Sequence, residues 1–218
     1  MNTIIILIFV LVIVSVYFIV QYKSNFEKRL VYHTPRLLSP ERQEYIKGAE
    51  RYIKKASVVI GLFVSFPLMV VCAFLLADVG IPIIFLLLIF LIAIECLAIY
   101  LLYRILKRNI KNQQALLEQM SDSDFELLLK IRDNFSFPYK YDPPFVLCNN
   151  HLYIFLFHTI KEIDPTQIIS VKWHSTKYGF LVRIKDPKAK ITVFNISKSA
   201  LPLFLQIVGQ YTELKFNY

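Results

Sequence analysis

Glycine and cysteine are scarce in this sequence of 218 residues, which contains 5 glycines and 3 cysteines. With so few glycines, the chain has no glycine-rich loop of the kind that holds nucleotide phosphates. Cys72, Cys96 and Cys148 are widely separated, and no Cys-x-x-Cys or Cys/His pair has metal-ligand spacing. These absences exclude a disulfide framework, favour a reducing compartment for the polar half of the chain, and predict no metal site.

Motifs for catalysis are also missing. The 4 histidines form no H-x-x-x-H or H-E-x-x-H pair, and no serine lies in a G-x-S-x-G elbow. Trp173 and His174 are neighbours on a predicted strand, so one is expected in the core and the other on the surface. The sequence therefore predicts a protein that is not an enzyme, has no catalytic residues and binds no cofactor.

Apolar residues are abundant, at 56% of the chain, which is more than an ordinary soluble domain contains. They are concentrated in three long runs, at Ile4–Val20, Val58–Ala77 and Ile81–Tyr103. Each run is long enough to cross a bilayer as a helix. The sequence therefore predicts an integral membrane protein with three transmembrane helices. The first (residues 1–20) is expected to be an uncleaved anchor, and the other two (58–103) a tight hairpin.

Positive charge predicts the orientation of these helices. The chain has a formal net charge of +9, and lysine and arginine are dense in residues 21–57 and again after the third run. Basic loops stay on the cytoplasmic side, so we expect the N-terminus outside the cell membrane and the C-terminal half inside. The lipid bilayer is then one partner and nucleic acid is not. Candidate contacts with anionic lipid are Arg51, Lys54, Lys55, Arg104, Lys107 and Arg108.

The basic loop is predicted to contain a helix that begins at Pro40. Ser39 can cap this helix, and proline suits its first position. An apolar face then recurs at helical spacing, at Tyr45, Ala49, Tyr52 and Ile53. Two interpretations stay open: a helix lying in the membrane interface, and a solvated helix that packs on the C-terminal domain.

Glu95 is a single carboxylate inside the third apolar run. No lysine, arginine or histidine lies within the three runs to neutralise it, and an ionised carboxylate in a bilayer is costly. Counting depth along each helix brings Ser65, Ser15 and Tyr17 to a similar level, so the four residues form a candidate intramembrane polar cluster. Three roles stay open for Glu95: a protonated structural residue, a contact with a partner protein, and part of an ion pathway.

The second half of the chain changes from a helical linker (residues 104–144) to β patterns. A helix is expected after Ser123 and Glu126, which have capping-box spacing. Six strands follow Pro144, and Asn149-Asn150 is predicted to be a tight turn between the first two because asparagine tolerates positive φ. The predicted strands are Phe145–Cys148, His151–Phe157, Lys161–Ile163, Ile168–His174, Tyr178–Lys185 and Lys190–Ile196.

The C-terminal segment is predicted to be an amphipathic helix. Ser199 can cap it, Pro202 falls in its first turn, and Leu201, Phe204, Leu205 and Val208 recur on one face. Residues 145–218 are therefore predicted to form a small α+β domain, with an antiparallel sheet or partial barrel closed by this helix.

The stretch NNHLYIFLFHTIKEIDPTQIISVKW carries a family resemblance. With the strands and helix around it, from Phe145 to Tyr211, it resembles the bacterial pleckstrin-homology-like (PH-like) modules that follow transmembrane hairpins in small membrane proteins. The resemblance implies a binding scaffold for lipid head groups, peptides or a second copy of the chain, and it implies no catalysis.

Two functions follow as hypotheses. The first is a membrane-anchored adaptor or regulatory protein whose PH-like module binds a protein partner or the inner membrane surface. The alternative is an immunity-type protein that neutralises a membrane-acting toxin through its transmembrane helices.

A basic region of the β domain is either a solvated strand face or a contact with anionic lipid. Its residues are Lys172, Lys177, Arg183, Lys185, Lys188 and Lys190.

Overall fold

The computed structural model of the chain describes residues 22–30, 32–75, 81–135, 140–156 and 159–214. In chain order the elements are α1 (Asn25–Leu30), α2 (Pro40–Leu75), α3 (Ile81–Leu117), α4 (Asp122–Asp133), β1 (Phe145–Cys148), β2 (His151–Leu156), β3 (Thr159–Ile163), a 3₁₀ turn (Pro165–Gln167), β4 (Ser170–Thr176), β5 (Gly179–Lys185), β6 (Ile191–Ile196) and α5 (Leu201–Tyr211). Two compact units are present: Pro40–Lys111, and the chain on either side of it.

Helix α2 begins at Pro40, as the sequence predicts. Tyr45, Ala49 and Ile53 are buried on one face, and Tyr52 is half-buried beside them. The predicted apolar face of this helix is therefore confirmed, and it belongs to the Pro40–Lys111 unit.

The prediction of a membrane-spanning protein is contradicted. A crossing needs about 20 consecutive apolar residues within one helix. In the part of the chain that the structure describes, no helix combines the necessary length with the necessary apolar character. We therefore correct the assignment of Val58–Ala77 and Ile81–Tyr103 as membrane spans. The predicted location and orientation in the cell membrane rested on these spans and are corrected with them. The first predicted span, Ile4–Val20, lies outside the described residues.

The other unit is an α+β arrangement with two antiparallel sheets of three strands each. The first sheet has the order β1-β2-β3 and the second has the order β4-β5-β6. The two-residue turn between β1 and β2 is confirmed, since Asn149 and Asn150 have φ of 49° and 62°. Among the described residues the strands thus form two separate sheets, whereas the sequence predicts one sheet or partial barrel.

The turn that joins the two sheets is held by a carboxylate. The side chain of Asp164 accepts hydrogen bonds from the Thr166 hydroxyl at 2.6 Å and from the Thr166 backbone N–H at 3.0 Å. These hydrogen bonds favour the ionised form and lower the pKa of Asp164. The chain therefore leaves the first sheet and enters the second through a locally fixed 3₁₀ turn.

Two helix starts differ from the predicted ones. Helix α4 is capped by Ser121, whose hydroxyl accepts from the Asp124 N–H at 3.1 Å, and not by Ser123. The residue at the start of α5 is Ala200, whose N–H bonds to the Ser197 hydroxyl at 3.1 Å. Ser121 thus takes the capping role expected of Ser123, whereas α5 begins without a side-chain cap and the Ser197 hydroxyl accepts from the residue before its first turn.

Helix α5 supplies the centre of the core between the sheets. Its predicted stripe, Leu201, Phe204, Leu205 and Val208, is buried. The Phe204 ring lies 5.3 Å from that of Phe145 on β1 and 5.4 Å from that of Phe194 on β6, both in edge-to-face geometry. One aromatic side chain therefore contacts both sheets.

Replacing Phe204 tests this assignment. Phe204→Ala is expected to lower the free energy of unfolding by about 3–5 kcal/mol, because it leaves a cavity where both sheets meet. Gln206→Ala is the matched control, since Gln206 is exposed on the same helix. Urea denaturation of the two variants measures the difference. Equal stability of both variants would contradict a core built around Phe204.

Candidate functional site

The predicted intramembrane cluster is not assembled by the described residues. Glu95 is half-buried in α3. Ser65 lies in α2, but its side chain is outside the described part, and so are Ser15 and Tyr17. The structure therefore gives no geometry that joins these four residues.

The predicted anionic-lipid contacts are on the two long helices. Arg51, Lys54 and Lys55 are exposed on α2. On α3, Arg104 and Lys107 are exposed and Arg108 is half-buried, with the Lys107 ammonium 5.8 Å from the centre of the Tyr103 ring. Since the membrane assignment is corrected, these basic residues have no assigned ligand.

Helix α2 also exposes large apolar side chains. Phe63 is 80% exposed, Phe66 is 70% exposed and Leu62 is 60% exposed. Exposed apolar groups of this size, close together on one element, indicate an interaction surface.

Metal-binding geometry is not found in the described ranges. No group of three or more histidine, cysteine, aspartate or glutamate side chains there could hold an ion. Cys148 is buried, and its thiol donates to the Leu116 carbonyl at a sulfur–oxygen distance of 3.5 Å. Cys148 is therefore part of the packing between β1 and the end of α3.

The outward face of the first sheet is covered by the N-terminal segment. The Phe26 ring of α1 contacts Tyr153 of β2 at 5.2 Å between ring centres. Arg29 forms an ion pair with Glu162 of β3, whose carboxylate accepts the Tyr153 hydroxyl at 3.1 Å. Burial and the neighbouring Glu162 carboxylate both raise the pKa of Tyr153, so this hydroxyl stays protonated and donates.

Two further carboxylates hold the same segment. Glu27 and Ser24 form a capping box, with Glu27 accepting from the Ser24 N–H at 2.7 Å and Ser24 accepting from the Glu27 N–H at 3.2 Å. Glu27 also accepts from the Asn112 side chain at 3.0 Å. Glu118 bonds to the His33 ring nitrogen at 2.6 Å. Residues 22–30 and 32–33 thus lie across the first sheet with buried and half-buried polar anchors, and we call them the N-terminal strap.

The second sheet has one buried face and one bare face. Val182, Ile184, Phe194 and Ile196 point to the core. Residues that alternate with them, together with their cross-strand partners, share the opposite side, which we call the outer face. We restrict the name to the three rows that are paired across all three strands, which are Ser170, Lys172, His174, Leu181, Arg183, Lys185, Ile191, Val193 and Asn195.

Cations are adjacent on the outer face. Lys172 on β4 lies directly opposite Arg183 on β5, and Lys185 is the next same-face residue along β5. All three are exposed, and within the described chain their side chains form no hydrogen bond or ion pair. None of the nine outer-face residues is an aspartate or glutamate. The face therefore carries a positive charge that nothing described neutralises.

The other basic residues of this region lie in turns. Lys177 is in the β4–β5 turn with its ammonium 5.3 Å from the centre of the Tyr178 ring, and Lys188 and Lys190 are in the β5–β6 turn. Asp186 in that second turn accepts the Lys190 backbone N–H at 2.8 Å. These lysines add positive charge at both ends of the outer face without belonging to it.

Apolar side chains share the outer face with the cations. Ile191 and Val193 on β6 are 54% and 39% exposed, and Leu181 on β5 is half-buried. Ile191 lies opposite Lys185, and Val193 lies opposite Arg183. A cationic side toward β4 and an apolar side toward β6 therefore meet along β5.

Sequence reasoning identifies the basic residues of this region but not their arrangement. The alternation of Phe180, Val182 and Ile184 with Arg183 and Lys185 indicates which β5 residues face outward. The register that places Lys172 opposite Arg183 depends on the pairing of β4 with β5, which periodicity alone does not give.

No family model, no curated protein and no solved structure matches this chain. The resemblance to PH-like modules therefore stays a prediction.

The like-charge pair has a consequence for stability. Like charges directly opposite on a sheet destabilise it, so Lys172→Glu is expected to raise the free energy of unfolding by about 0.2–1 kcal/mol. Lys198→Glu is the control, because it makes the same charge change at an exposed residue outside the sheet. Urea denaturation at low and high salt measures both. The gain should shrink at high salt, and no gain over the control would contradict repulsion on the outer face.

Proposed function

We propose that this chain is a non-catalytic binding protein whose outer face binds an acidic segment of a protein partner. One observation carries the proposal: Lys172, Arg183 and Lys185 are adjacent, exposed and unneutralised on a face without a carboxylate. Unfavourable like-charge contacts on an exposed face are relieved when an anionic partner supplies the missing charge.

The chemistry of the outer face supports a protein ligand over a nucleic acid. Leu181, Ile191 and Val193 lie beside the cations and offer apolar contact area, as protein interfaces do. Proteins that bind single-stranded nucleic acid stack bases on aromatic side chains. None of the nine outer-face residues is phenylalanine, tyrosine or tryptophan, and His174 is the one residue among them with a ring that could stack on a base.

The accessibility of the sheet faces also supports the outer face as the binding surface. The inner face of the second sheet is occupied by α5, and the outward face of the first sheet is covered by the N-terminal strap. Of the four sheet faces in this unit, the outer face is thus the one whose charged side chains lie open in the described chain.

The proposal retains the adaptor hypothesis in one respect, binding to a protein partner, and no longer includes an anchor in the membrane. The implied PH-like scaffold and the absence of catalytic motifs are consistent with binding, and both remain predictions. The immunity-type alternative depends on transmembrane helices, which the described residues do not supply. No specific observation favours it.

Charge reversal on the outer face tests the proposal. The probe is a fluorescein-labelled peptide of alternating glutamate and leucine, and its binding to the full chain is measured by fluorescence anisotropy. Arg183→Glu and Lys185→Glu are each expected to weaken binding about tenfold, because each turns an attraction into a repulsion. The matched control is Lys130→Glu, which makes the same charge change at an exposed residue of α4.

The controls separate specific binding from general attraction to a basic protein. A peptide with lysine in place of glutamate should not bind, and Lys130→Glu should bind the acidic peptide as the unsubstituted chain does. If Lys130→Glu weakens binding as much as Arg183→Glu, the outer face is not the site and the proposal is wrong.

A further inference from the structure

The dimensions of the outer face indicate the shape of its ligand. Three strands about 4.8 Å apart make a surface about 10 Å wide. This width is close to the diameter of an α-helix with its side chains, about 10–12 Å. The inner face of the same sheet, built on the same three strands, is covered by an 11-residue helix, α5.

The backbone hydrogen bonds of the second sheet also favour a helical ligand. The backbone groups of β5 are used in the ladders to β4 and β6, so the middle of the outer face offers side chains only. A segment that binds flat on this face must therefore satisfy its own backbone hydrogen bonds. An α-helix does so internally, whereas an extended chain does not.

The distribution of side chains sets the pattern of that helix. Lys172, Arg183 and Lys185 occupy the β4 side and the middle, and Ile191 and Val193 occupy the β6 side. We propose that the acidic segment is an amphipathic α-helix, with glutamate or aspartate on the flank toward β4 and apolar residues on the flank toward β6. This inference rests on the proposed function and adds the conformation and pattern of the ligand.

The length of the helix follows from the rows of the sheet. The outer face contains three rows of three residues, and same-face residues along a strand are about 7 Å apart. The rows therefore extend over about 14 Å, which corresponds to about ten helical residues at 1.5 Å each. A sheet with a helix on each face is a common layer arrangement.

Three labelled peptides of about 14 residues test the inference, all with the same numbers of glutamate and leucine on an alanine background. In the first, glutamates and leucines form adjacent helical stripes. In the second, the same residues are scattered around the helix. The third keeps the first pattern, with two central alanines replaced by proline to prevent helix formation. Each is titrated with the full chain and with Arg183→Glu and Val193→Ser, whose folding is checked by thermal melting.

The striped peptide is expected to bind about tenfold more tightly than either of the others. Val193→Ser should weaken its binding about fivefold, because apolar contact area is lost. If the scattered or proline-containing peptide binds as tightly as the striped one while Arg183→Glu still weakens binding, the helix inference is wrong and the proposed function stands. If Arg183→Glu changes the binding of no peptide, the proposed function itself is wrong. Tighter binding to oligo(dT) or to phosphatidylglycerol vesicles than to every peptide overturns both.

Discussion

The fold of the strand-containing unit depends on one buried aromatic side chain that contacts both sheets. Phe204 of α5 lies against Phe145 in the first sheet and Phe194 in the second, and it is fully buried. Small three-stranded sheets are weak on their own and need an apolar surface to pack on. Because α5 supplies that surface to both sheets at once, the strands are held with their apolar sides inward. Because α5 packs on one side of the second sheet, the alternate side chains of β4, β5 and β6 face outward.

The two sheets differ in what covers their outward sides. The first is covered by the N-terminal strap, with Phe26 on Tyr153 and Glu27 bonded to Asn112. The second is left bare, and there Lys172 and Arg183 lie opposite each other without a carboxylate. The repulsion between these two side chains lowers the stability of the sheet. Both residues are exposed, so either could be replaced without loss of core packing. Such a conflict between local stability and sequence is typical of a functional surface.

Local structure could be predicted from the sequence, and long-range arrangement could not. The helix start at Pro40 and the Asn149-Asn150 turn depend on backbone preferences of single residues, so both were predictable. The division into two sheets and the contact of Glu27 with Asn112 join segments far apart in the chain, which periodicity does not encode. The membrane prediction rested on the length of three apolar runs and on the basic residues between them, and in the described part of the chain no helix meets the requirements of a span.

Lysine labelling followed by mass spectrometry measures which side of the second sheet is open to solvent. If α5 holds the second sheet so that one side is bare, Lys172 and Lys185 should react fast in the full chain. Lys161 should react slowly, since its ammonium bonds to the buried Thr192 hydroxyl. The striped acidic peptide should then slow the reaction of Lys172 and Lys185 and leave that of Lys130 unchanged. Lys172 and Lys185 reacting no faster than Lys161, or equal protection of Lys130, would contradict the account.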